Sequence, residues 1–64
     1  MSQLSPTRRD YARALKAIAQ TRREVERLLA DVSRDETYVA SLLGPILANL
    51  RESESQLRQL QNNA

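Results

Sequence analysis

With 64 residues and neither cysteine nor histidine, the chain is one domain at most, and it has no means of forming a disulfide or a histidine- or cysteine-ligated metal site. A domain this short buries only about 60% of the surface its unfolded form exposes, so association with another chain is the remaining route to stability. Ten basic residues against eight acidic ones are too evenly balanced to name a partner, and the two missing residue types are the commonest catalytic base and the most reactive nucleophile.

The chain opens on Met1-Ser2-Gln3 and continues into a polar, arginine-bearing segment. That pattern is neither a signal peptide nor a transit sequence, and together with the lack of cysteine it gives a cytoplasmic expectation. Ser5 is suited to accept from free backbone N–H groups as an N-cap, and Pro6 at the first helical position has no N–H to leave unpaired. Helix 1 is therefore expected over about 6–32.

Every seventh residue from Leu4 reads Leu4, Tyr11, Ile18, Val25, Val32, Val39, Ile46, Ser53, Leu60. Offset by four is a second series, Arg8, Leu15, Arg22, Leu29, Glu36, Leu43, Leu50, Leu57, Ala64. The two series form the d and a positions of a coiled-coil-like heptad running the whole length, so the chain is expected to be all-α. The flanking e and g positions carry Ala12, Ala14, Ala19, Leu28, Ala40, Leu42 and Leu47 where a two-stranded coiled coil would carry charge. An apolar stripe that wide suits three or four packed helices.

On the opposite side of helix 1, Arg9, Arg13, Lys16, Gln20, Arg23 and Arg27 succeed one another at spacings of four and three, which lines them up in one stripe. Such a stripe is ordinarily a solvated helix face. Here it has no interleaved acids, since Asp10, Glu24 and Glu26 lie beside it, and arginine's planar fork suits phosphate or carboxylate. The stripe lacks aromatics on which bases could stack, so it offers backbone contact without base readout. The charge is also one-sided along the chain. Six basic residues face Asp10 alone through Arg23, and from Glu24 onward seven acids face four bases.

Two segments compete to be the turn. Ser33 with Glu36 three residues later reads as a capping box in a polar stretch. Gly44-Pro45 is the stronger local stop, because proline in a helix interior removes a hydrogen bond and costs about 3 kcal/mol. Yet the pair is flanked by Leu42, Leu43, Ile46 and Leu47, and a bend there would expose all four. The reading adopted is an antiparallel helical hairpin turning near residues 33–36, with helix 2 over about 35–61 and a kink at Gly44-Pro45. A turn at Gly44-Pro45 and a single kinked helix are the alternatives. The uncharged run from Thr37 to Leu50 spans 14 residues, too short to cross a bilayer, so no membrane partner is expected.

In that hairpin Arg22, at an a position, falls opposite Ile46. Its stem can lie over the core while the guanidinium reaches outward. Alternatively it donates to the carbonyl freed by the proline, or to a partner's carboxylate, and fixes register. Leu29, Val39 and Leu43 are expected at the hairpin's centre. If the kink turns Leu42 and Leu47 away from helix 1, an apolar partner-binding face of Leu28, Leu42, Ile46, Leu47 and Leu50 results. The polar candidates for partner or nucleic-acid contact are Arg9, Arg13, Lys16, Arg22, Arg23 and Arg27.

Catalysis has little to work with. Glu52 and Glu54, two apart on a helix, point in different directions, and one glycine cannot make a phosphate loop. No cofactor, metal or small-molecule substrate is expected. The expected function is a small non-enzymatic protein–protein interaction module, a regulator, inhibitor or co-chaperone, that forms a four-helix-type bundle with its own copy or with a different protein chain. The alternative is a dimeric RNA- or DNA-binding protein using the basic stripe. In architecture alone the hairpin resembles the Rop-type RNA-binding antiparallel dimers and the small helical co-chaperones of type III secretion, and no residue's role is carried over from either. Nine arginines to one lysine point to a GC-rich bacterial or phage source.

Overall fold

The computed structural model describes residues 5–32 and 35–64. Two helices, α1 (Arg8–Asp31) and α2 (Thr37–Asn62), pack against each other, and no strand occurs among the described residues. They run antiparallel. Near the open end the Gln61 side-chain amide donates to the Arg8 carbonyl at 3.3 Å.

α1 starts later than Ser5-Pro6 would have it. Thr7 is the N-cap, in extended backbone; its Oγ1 accepts from the Asp10 N–H at 3.2 Å, while its own N–H donates to Asp10 Oδ2 at 2.8 Å. This reciprocal pair satisfies two free donors, and a start at Ser5 offers only one. Pro6 is thereby left outside the helix. At the other end Val32 turns to extended backbone and its N–H bonds back to the Leu29 carbonyl at 3.3 Å.

The turn falls between the helices as the polar segment indicated, with a different cap. Glu36, expected three residues into a capping box, is itself the N-cap of α2, its carbonyl accepting from the Ala40 N–H at 3.1 Å. Ser33, the other half of that expected box, lies outside the described residues. α2 then runs unbroken through Gly44-Pro45, which excludes a turn there. Ser41, whose carbonyl loses its helical donor to the proline, is exposed, so water can reach that oxygen. Nor does packing between the helices require the glycine. A Cβ on Gly44 would meet nothing within 4 Å.

The two helices use different seams. On α1 the a and d residues Tyr11, Leu15, Ile18, Val25 and Leu29 are half-buried as the heptad predicts. On α2 the seam is rotated. Positions a and e turn inward, with Leu47 the one buried hydrophobic among the described residues at 7% exposure and Glu54, about two turns farther along the e series, buried at 9%. Leu43, Leu50 and Leu57 are half-buried, while the d residues Val39, Ile46 and Leu60 are exposed. Val39 is therefore not at the hairpin's centre, although Leu29 and Leu43 are half-buried there.

No side chain among the described residues is fully enclosed. The chain is a rod with a radius of gyration of 15.4 Å, against about 11 Å for a compact domain of this length. Its accessible surface is 5275 Å², about 1,100 Å² more than a folded monomer of this mass exposes. Among the described residues no helix is long and apolar enough to cross a membrane.

Candidate functional site

The interior of the hairpin is held partly by charge. Arg22 Nε donates to Glu54 Oε1 at 2.7 Å across the helix interface, and Arg22 Nη1 donates to Glu26 Oε2 at 3.1 Å along α1. Arg51 of α2 reaches the same Glu26 oxygen at 3.2 Å, and Arg58 lies 3.8 Å from Glu54 Oε2. Three arginines and two glutamates thus alternate in a chain that crosses the interface twice.

This arrangement corrects two expectations for Arg22. It is not paired with Ile46, since its partner on α2 lies about two turns farther on. Its guanidinium is not turned out to solvent either, because both acceptors are carboxylates of the hairpin itself. The hydrogen bond and charge of Glu54 hold the Arg22 guanidinium more firmly protonated than usual. The hydrogen bond from Arg51, reinforced by Arg22, holds the Glu26 carboxyl below the ordinary glutamate range.

Glu54, Glu26 and Arg51 were not marked as site residues by the sequence. Glu26 and Glu54 both occupy e positions, and the signal available was Arg22: a guanidinium at a seam position calls for a carboxylate within reach, with Glu26 four residues on.

The expected apolar face divides. Leu28, Leu42 and Ile46 are exposed, at 57%, 49% and 45%. Leu47 is buried within the hairpin and Leu50 is half-buried. Leu42 and Leu47 could not have shared a face in any case, since five residues on a helix separate them by about 140°. Tyr38 and Val39 join the exposed set.

The basic stripe of α1 is present as a surface feature. Arg9, Arg13, Lys16, Arg23 and Arg27 are all exposed. Arg13 approaches Asp10 at 4.0 Å, and the other four have no acidic partner among the described residues. Arg22 does not belong with them. Among the described residues no group of metal-ligating side chains and no enclosed pocket occurs.

Compared with protein-family models, curated proteins and solved structures, the chain matches none of them.

Proposed function

We propose that the chain is a small non-enzymatic interaction module that completes a four-helix-type bundle with a second chain, and so regulates, inhibits or chaperones what it binds. The observation that carries this reading is the surplus of about 1,100 Å² of accessible surface over a normal folded monomer, in a hairpin whose only buried hydrophobic among the described residues is Leu47. Two helices cannot cover an apolar stripe this wide. A second chain supplies the missing layer.

Thermal unfolding at two concentrations about a hundredfold apart tests the reading, because association makes the midpoint depend on concentration. A higher midpoint at the higher concentration, or on addition of a partner, is the expected result. A monomer with a sharp transition at one fixed temperature, with or without candidate partners, overturns it.

One observation favours a second reading, contact with the phosphate backbone of RNA or DNA. Four cations of α1 share a face with no acid among the described residues to neutralise them, which is the footprint such binding needs. Raising salt from about 50 to 200 mM should then weaken binding steeply, whereas an apolar bundle interface persists.

A further inference from the structure

Resting on the bundle reading above, we propose that the missing layer is a second copy of this chain, docked on the turn-proximal face of α2 around a two-fold axis at Leu42. On a helix of 3.6 residues per turn, Tyr38, Val39, Leu42, Pro45 and Ile46 fall within an arc of about 120°. All five are exposed. One or two turns on, the same arc carries Asn49, Ser53 and Gln56, so the apolar patch is confined to the end of the rod near the turn. Leu28, at a g position in the last turns of α1, is exposed as well.

Two observations commit the patch to a copy of the chain itself. The first is area. The surplus of about 1,100 Å² is spread over the whole rod and leaves room for the about 800 Å² that each partner buries in a standard stable interface. The second is charge. α2 carries none from Thr37 to Leu50, so two identical faces meet without like-charge repulsion, and a partner selected by charge would find nothing on the patch to pair with. Self-complementarity of that kind is what a two-fold interface requires of one surface.

With antiparallel α2 helices crossing at Leu42, Leu42 meets its own copy, Tyr38 faces Ile46 of the second chain, and Val39 faces Pro45. Val39 and Ile46, two of the three d residues that the hairpin leaves exposed, are then covered near the crossing. Leu60, beyond the patch, is not.

The absence of cysteine makes single-cysteine cross-linking a clean test, because a residue on a two-fold axis meets itself. The full chain is expected to sediment as a dimer. Leu42→Cys should then form an intermolecular disulfide under mild oxidation far faster than Lys16→Cys on the basic stripe. Leu42→Glu, which sets two carboxylates against each other, should weaken dimerisation roughly a hundredfold, in the range of a hot-spot loss.

A dimer that cross-links equally from both positions, or that survives Leu42→Glu, overturns the proposal while leaving the bundle reading intact. So does a monomer that gains stable helix only with a different protein. A monomer that melts sharply at a fixed temperature at every concentration overturns both.

Discussion

Arg22 and Glu54, on opposite helices, meet at 2.7 Å from Nε to Oε1, and this contact fixes how far along α2 the first helix sits. A half-buried ion pair with a well-oriented hydrogen bond is costly to break from one side, because the remaining charge keeps its desolvation cost without its partner. Glu54→Ala is therefore expected to lower the melting temperature by several degrees, and Glu52→Ala, one exposed position away from that network, to leave it nearly unchanged. Replacing both partners, Arg22→Met with Glu54→Leu, should restore most of the loss. Circular dichroism melts of the four chains check this, and equal losses for Glu52 and Glu54 would contradict it.

Acid should loosen the hairpin through Glu26. Its carboxyl is held low chiefly by the hydrogen bond from Arg51 and also by Arg22, so the ionised form is favoured on folding. The resulting stabilisation is complete above the unfolded glutamate value of about 4.3 and is lost as pH falls through the lower folded value. Asp10, lowered first by the Thr7 backbone N–H and then by the Thr7 hydroxyl, acts in the same direction. Melting temperature recorded from neutral pH downward should fall below about pH 4.3. The decline should be shallower in Glu26→Gln.

Leu47 is the point where the hairpin is most sensitive to lost packing. Leu47→Ala is expected to cost about 2–5 kcal/mol, the range for truncating a buried leucine. Leu42→Ala should cost much less when the chain is dilute. Urea denaturation of the two variants separates them, and a reversed order would mean that α2 is rotated differently on α1.

Gly44→Ala should stabilise the chain. Nothing lies within 4 Å of the added Cβ, the helix continues through the position, and alanine is favoured over glycine in a helix interior by about 0.5–1 kcal/mol. A loss of stability in Gly44→Ala would indicate that something approaches the position in the assembled protein that the isolated hairpin does not contain.

Thr7→Ala removes the hydroxyl that caps α1 and is expected to cost about 1 kcal/mol. Thr7→Ser keeps the oxygen and should cost little. Helical content from circular dichroism together with the melting temperature distinguishes the two, and an unaffected Thr7→Ala would place the start of the helix elsewhere.

The hairpin and its turn were legible because their signals are local: a heptad of apolar residues, a polar break near Ser33-Arg34, and four aliphatics that make Gly44-Pro45 a poor bend. The capping of α1 was equally local and was misplaced, because Ser5-Pro6 and Thr7 with Asp10 are both good starts and only the second satisfies two donors. The seam of α2 was not legible. A heptad carried unbroken across the turn assumes that both helices keep one rotational phase, but the loop resets the phase of the second. Ala40, Leu47 and Glu54 replace the d series there, and the exchange of Ile46 for Leu47 in the interior follows. Glu54 could be weighed only beside Glu52 because its partner is 32 residues away, a pairing that local spacing cannot show.

The bond from Gln61 to the Arg8 carbonyl brings the outer ends of the two helices together at one end of the rod, while the exposed large aliphatics other than Leu60 lie toward the other. The helices are about 36–39 Å long at 1.5 Å per residue, so that distance separates the two ends. Chain entry and exit side by side are the geometry that tolerates insertion. The hairpin can be spliced into a surface loop of an unrelated host as a projecting arm, carrying its exposed apolar tip clear of the host's own surface without breaking either helix.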